Sequence, residues 1–380
     1  MTTETSVLQD TRPTPGVRQR LAAFRQGYPH FFLLGLLVGV MLILALVPYQ
    51  LVAGPWLRAG EDVPYLLQYF RMGTTTWFVL TVSGMAMGLL IFIMSSGMTL
   101  TFGLMSVLNL GHGGFISFGA FCGATVVVYF SAWAASGNLF LTIAVLMMAC
   151  FYAMLITGAL GVFFERVVIK PVYGDHLKQI LVTIGGAIIL MELIHVIWGA
   201  TDVPVPRPQL LRGAVIIDQA IPFIGGAAIE IYRLMAVIVG LILYGLMLLV
   251  INKTKVGVLI RAGVESREMV EVQGYRINLL FLAVFVAGSA LAGLGGAMWG
   301  MYEQIVNAHM GEHLMIMVVV VIILGGLGSI TGCFYGAILV GLINLYVGYL
   351  EPRLAGIATV GLMVAVLMWR PQGLIPVLRH

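Results

Sequence analysis

A chain of 380 residues that is 60% apolar and 9% charged, with a mean hydropathy of +1.03, falls outside the ordinary soluble enzymes, whose charged share is about 25%. Its net charge of +4 reads as the cytoplasmic cation bias of a membrane protein rather than as a nucleic-acid surface. Cys122, Cys150 and Cys333 lie far apart in apolar runs, without CxxC or Cys/His spacing, so neither a disulfide nor a metal site is expected from them.

Ten apolar blocks approach the length an α-helix needs to cross a hydrocarbon core. They fall at 31–53, 76–97, 113–132, 139–164, 179–199, 232–252, 278–300, 314–331, 333–350 and 353–370. The expected fold is therefore an all-α polytopic membrane protein. The first block follows a polar lead at 1–30 that is long for a signal peptide, and no small-x-small cleavage site follows it. It is read as a retained anchor helix, which together with an outer loop occupies 31–75. With the N-terminus inside, 14 of the 20 Lys and Arg residues fall on inner segments. Both ends, including the last residues 377–380, are then expected in the cytoplasm.

The short apolar piece 98–110 suggests a re-entrant segment or half of a broken helix. It leads into "NLGHGGFISFGAF", Asn109 to Phe121, where glycines at 111–114 predict a break. Further on, Glu192 and His195 are three apart on one helix face, an intramembrane polar pair. The outer loop 200–231 carries Pro204, Pro206, Pro208 and Pro222 and reads as extended or turning backbone, a lid or docking surface. The inner loop 253–277 holds an amphipathic stretch over 258–272, with Val258, Leu259, Met269, Val270 and Val272 toward one side and Gly274 as C-cap. Pattern alone leaves two options for that helix, lying at the membrane interface or docking into another protein.

Gly288, Ala292, Gly296 and Gly300 are spaced by four and predict a face of close helix packing. "GGLGSITG", Gly325 to Gly332, predicts a second break. Both breaks precede similar segments, "GFISFGAF" and "GCFYGAIL", which suggests an internal repeat. Broken helices at membrane depth line cavities or protein, so the two breaks are expected to face one translocation path. Its candidate residues are Asn109, His112, Gly113, Gly114, Phe115, Gly325, Gly326, Gly328 and Ser329. His112 either satisfies backbone at the break or offers a hydrogen bond to a solute. No GxxxxGK[ST], GxSxG or HExxH motif is present, so no ATP site and no catalytic residue is expected in this chain.

Six segments in order, "GLMSVLNLGHGGFISFGAF", "FFERVVIKPVYG", "GVLIRAGVESREMVEVQGYRIN", "FVAGSALAGLGGAMWG", "VIILGGLGSITGCFYGAIL" and "MWRPQGLIP", resemble the LivH/LivM family of ABC importer permeases. The resemblance implies a permease domain at 76–376 with a coupling helix at about 258–274, where Arg261, Glu265, Glu268, Met269 and Gly274 would meet an ATPase. It also implies a second LivH/LivM-like permease, as a heterodimer rather than a homodimer, two cytoplasmic ATPases and a periplasmic solute-binding protein. ATP and Mg would then sit on the ATPases, with no cofactor on this chain, in a bacterial inner membrane. The family's solutes are branched-chain and other amino acids, with urea, amides and aromatic or carboxylic compounds among relatives. Many relatives have an acidic residue where this chain has Gly114, which weakens the default substrate. Glu303, His309, Glu312 and His313 in the following outer loop are expected to be solvated or to touch the binding protein rather than to hold a metal. An ion-coupled transporter or a passive channel would account for the breaks and the packing, but not for the docking helix.

Overall fold

The computed structural model describes residues 73–105, 109–218, 225–265 and 267–375. The tail 1–30, the anchor at 31–53, Pro222 and the end 377–380 lie outside the described residues, as do the side chains of Glu265, Glu268 and Met269. Long apolar runs become helices because lipid offers backbone amides no partner, so each segment must satisfy its own. The helices are α1 (Thr74–Met105), α2 (His112–Tyr129), the single turn α3 (Ser131–Ala134), α4 (Leu139–Phe163), α5 (His176–Trp198) and α6 (Ile231–Lys253). There follow α7 (Lys255–Glu265), α8 (Arg267–Val272), α9 (Ile277–Glu303), α10 (Met310–Gly325), α11 (Ile330–Leu350) and α12 (Ala355–Trp369). Among the described residues, eight helical segments are long and apolar enough to span a membrane, and α10 is a shorter apolar helix of 16 residues.

α9 and α1 form the centre. α9 packs on α1, α2 and α4, while the opposite side of α1 packs on α11. The contacts are made at glycines. A Cβ at Gly97 would lie 2.4 Å from the Gly288 carbonyl oxygen, and one at Gly119 would lie 2.2 Å from Gly293 Cα. Gly288, Ala292, Gly296 and Gly300 are all buried, as their spacing predicted. Small residues here let backbones approach and gain dispersion contact that bulky side chains would prevent, which drives association where lipid removes the hydrophobic incentive.

The first break is shifted from its expected place, whereas the second falls within Gly325 to Gly332 as expected. α1 runs without interruption to Met105, so the re-entrant piece predicted from residue 98 is helix at least that far. α2 begins at His112, which puts Gly113 and Gly114 in its first turn and confines the break to the residues just before it. Tertiary contact overrides their low helix propensity, because Gly113 lies on the backbone of Gly311 and Gly114 on Leu190. The spans expected at 314–331 and 333–350 are Met310–Gly325 and Ile330–Leu350. Gly326 at φ 103° and Gly328 at φ 83° turn the chain between them, and the Ser329 hydroxyl caps α11 by accepting from Gly332 N at 3.1 Å. The C-terminal turn closes the end of α10, with Leu374 N donating to Leu324 O at 2.9 Å and Ile375 N to Gly325 O at 3.1 Å.

The proline-rich loop 200–231, expected to be extended or turning, forms short strands in its described residues. β1 (Val203–Pro204) pairs antiparallel with β4 (Ile305–Val306), and β2 (Ala214–Ile216) with β3 (Ala228–Glu230). The first pairing fastens the loop to the chain just past α9.

Candidate functional site

A cavity of about 610 Å³ opens between α2, α5, α10 and α12. Its walls are apolar, with Ile188, Met191, Met315, Val319 and Met363 among them. Gly113 and Gly114 form part of its floor, and Ser117 and Glu312 are the polar side chains in its lining. Ser117 is already engaged: its hydroxyl donates to Ala308 O and accepts from Gly311 N, each at 2.8 Å. The pocket therefore suits an apolar body with a polar end at Glu312.

Of the nine residues expected along a path, Gly113 and Gly114 line this cavity and the other seven do not. His112 is 2% exposed and its Nε2 donates to Met94 O on α1 at 2.9 Å. Asn109 is buried and its Oδ1 accepts from Gly111 N at 3.0 Å, shaping the turn before α2. Phe115 packs between Phe164 and Phe285. The second break lies elsewhere, with Gly328 against Gly103 and Gly326 against the C-terminal turn. The two breaks thus have different surroundings. The reason is local: carbonyls freed at the end of α10 are taken by amides of the chain end, which seals that break with protein. At Gly114 the space a Cβ would need is filled by Leu190, 2.9 Å away.

His112→Gln keeps a donor for the Met94 carbonyl and is expected to leave membrane level and solute preference unchanged. His112→Leu removes the bond at a cost of about 1 kcal/mol. Thermal unfolding of the two purified variants checks the difference, and a changed solute preference in His112→Gln would contradict the buried placement.

Glu192 and His195 do form a pair, with Oε2 and Nδ1 3.5 Å apart toward the C-terminal end of α5. They are part of a larger array. The His195 ring lies 6.1 Å from that of His309, whose Nδ1 is 3.2 Å from Glu312 Oε2. Of these four residues, Glu312 lines the cavity. Among the described residues, no three His, Cys, Asp or Glu side chains are placed to hold a metal ion.

The expected amphipathic stretch is helical over α7 and α8. Gly274, at φ 85°, ends α8: Gly274 N donates to Glu271 O at 2.9 Å and Tyr275 N to Val270 O at 3.2 Å, a Schellman closure. Val270 is buried, and together with Leu259 it lines a cavity of about 340 Å³ at the base of α9. Val258 and Val272, expected on the same side, are exposed instead. The reason is angular within each helix: at about 100° per residue, Val258 on α7 points more than a quarter-turn away from Leu259, and Val272 on α8 lies nearly opposite Val270. The apolar stripe that reaches protein is therefore narrower than the one expected. Arg261 donates from Nη1 to Asn252 Oδ1 at 3.1 Å, tying α7 back to α6. The exposed Val272 and Tyr275 leave an apolar surface on the inner end, next to α9.

Sequence reasoning missed Arg207. Its side chain is buried in the outer loop, where Nε donates to Met301 O at 2.7 Å, Nη2 to Tyr302 O, and Nη1 to Glu230 Oε2 at 2.9 Å. Its guanidinium lies 5.0 Å from the centre of the Tyr232 ring, and the Tyr232 hydroxyl donates to Met298 O at 2.6 Å. Arg233, 3.3 Å from Glu230, donates in turn to Ser83 on α1. Arg207 and Arg233 thus tie the loop, α6, α9 and α1 together. The one signal for it was a cation set between prolines in "VPRPQLL".

The sequence profile described as "Branched-chain amino acid transport system / permease component" matches residues 80–367. The Pseudomonas aeruginosa protein named high-affinity branched-chain amino acid transport system permease protein BraD is 25% identical over 298 residues, 77% of this chain and 94% of its own length. Escherichia coli K12 LivH, a permease protein of the same kind of system, is 25% identical over 297 residues, 77% of this chain and 93% of its own. A probable branched-chain amino acid transport permease protein LivH of Methanocaldococcus jannaschii is 28% identical over 145 residues, 36% of this chain and 45% of its own length. No solved structure shows a significant match.

Proposed function

The chain belongs to the branched-chain amino acid transport system permease component family, and from that membership we propose that it is the membrane subunit of a binding-protein-dependent ABC importer of branched-chain or other amino acids. The observation that carries the solute class is the cavity, whose apolar walls end at a carboxylate. The partners are a second permease of the same family in a heterodimer, two cytoplasmic ATPases that hold ATP and Mg, and a periplasmic binding protein. The setting is a bacterial inner membrane with both termini inside.

In this reading α7, α8 and Gly274 form the coupling element, the segment that carries Arg261, Glu265, Glu268 and Met269. The exposed Val272 and Tyr275 support it, as does the rigid closure at Gly274, which continues into α9. Nucleotide-dependent docking there would favour one orientation of the permease over the other and so shift its population. Asn109, His112, Phe115, Gly325, Gly326, Gly328 and Ser329 then shape the helices around the path, and Gly113 and Gly114 form its wall.

Uptake of labelled leucine into proteoliposomes holding the assembled importer tests the reading. Uptake should require ATP on the ATPase side and survive collapse of the membrane potential. Persistence without ATP would point to an ion-coupled carrier or channel. Gly274→Val, which puts a β-branched residue at positive φ, is expected to leave ATP hydrolysis running while leucine uptake falls. Paired measurement of phosphate release and uptake reads this out, and preserved coupling would remove the contact from this segment.

A further inference from the structure

We propose that Glu312 selects solutes by their ammonium group at the outer mouth of the cavity, with His309 as the residue that positions its carboxylate. The proposal rests on the importer reading and names what the permease itself recognises.

Glu312 is the one charged side chain in the lining of the cavity among the described residues, and it lies in the first turn of α10. The helix dipole favours a negative charge at that position. Its side chain is 56% exposed, so it remains open to a ligand, while Nδ1 of His309 lies 3.2 Å from Oε2. Behind it the wall is Met191, Met315, Ile316 and Val319, matched to an aliphatic side chain rather than to a polar one.

The same end of α10 does not present an anion site. Met310 N donates to Asn307 O at 3.2 Å, Glu312 N to His309 O at 3.0 Å, and Gly311 N to the Ser117 hydroxyl at 2.8 Å. The amides that would receive a carboxylate are already used. Charge and shape together favour a cationic head on an apolar body. A carboxylate on the same solute is left toward the open mouth, where the His195 and His309 rings stand 6.1 Å apart. Neutral amides and simple carboxylic acids gain nothing from Glu312, and an anion alone is repelled.

The test uses proteoliposomes with the assembled importer and two labelled probes, L-leucine and 4-methylpentanoate, which keeps the leucine side chain but lacks the ammonium. Glu312→Gln is expected to lower leucine uptake roughly 10-fold or more, as loss of a charge-assisted hydrogen bond predicts, while binding-protein-stimulated ATP hydrolysis persists. Glu312→Asp should restore most of the uptake, and His309→Gln should give an intermediate loss. Wild-type import of leucine combined with unchanged uptake in Glu312→Gln overturns the assignment alone. Equal loss in Glu312→Asp and Glu312→Gln, together with loss of stimulated ATP hydrolysis, marks a structural role and also overturns it. Wild-type import of 4-methylpentanoate in place of leucine overturns the amino-acid class in the importer reading and this assignment together.

Discussion

Gly296→Leu is expected to abolish accumulation of folded protein in the membrane, and even Gly296→Ala should lower its stability sharply. A Cβ at this position would sit 2.0 Å from the Ile116 carbonyl oxygen and 3.1 Å from Ala120 N. Both atoms belong to the backbone of α2, so no rotamer change clears them and the two helices must part. Overpacking of a core typically costs about 1–3 kcal/mol, and a backbone collision lies at or beyond the upper end. Separating α9 from α2 also disturbs neighbouring contacts, since Gly119 meets Gly293 and Gly123 meets Ala297 on the same seam. Membrane level and the melting temperature of the purified protein measure the effect. At Gly245 on α6 an added Cβ would have no atom within 4 Å, and Gly245→Ala serves as the control. It should be neutral or slightly stabilising, by up to about 1 kcal/mol from helix propensity. Similar losses at both glycines would show that the seam is not the cause.

Arg207→Ala is the second large expected effect. The guanidinium supplies donors to Met301 O and Tyr302 O, carbonyls of the last turn of α9 that have no helical partner of their own. A cation there also opposes the negative end of the helix dipole. Truncation strips both carbonyls of their donors and removes one of two cationic partners of Glu230, which keeps Arg233. Glu230 is 39% exposed, so water offsets part of its loss, and a cost of about 3 kcal/mol is expected. Arg207→Lys should recover only a fraction, because an ammonium cannot fork to three acceptors held in different directions. Melting temperature measures the cost, and leucine uptake reads its consequence for the outer end of α9. A melting temperature for Arg207→Ala equal to wild type would show that this outer tie is not a stabilising element.

These two residues also mark how far the chain is legible before folding. Gly296 stood out because its spacing with Gly288, Ala292 and Gly300 is a helical property, and the structure buries all four as expected. Arg207 did not, because its partners are backbone carbonyls 94 and 95 residues away, and carbonyls carry no sequence signature. His112 lies between these cases. Its unusual setting among glycines was visible, but the choice between backbone and cavity depended on where α1 passes, with Met94 O presented to Nε2. Glu192 and His195 could be paired from their spacing of three, whereas their neighbour His309 comes from beyond α9.

Hydropathy, charge bias and glycine spacing determined by themselves that this is a multi-pass helical membrane protein, roughly where it crosses, and which faces pack closely. These are local or periodic quantities, set by helix geometry and by the cost of exposing backbone to lipid. The tertiary structure alone decided that the break after α10 is sealed by the turn at Leu374 and Ile375, that Leu259 and Val270 rather than Val258 and Val272 meet the base of α9, and that the carboxylate of Glu312 joins the lining of an apolar cavity. Each of these depends on groups brought together from distant parts of the chain, and the pairing of a donor with an acceptor is set by their positions in space rather than by their separation in sequence.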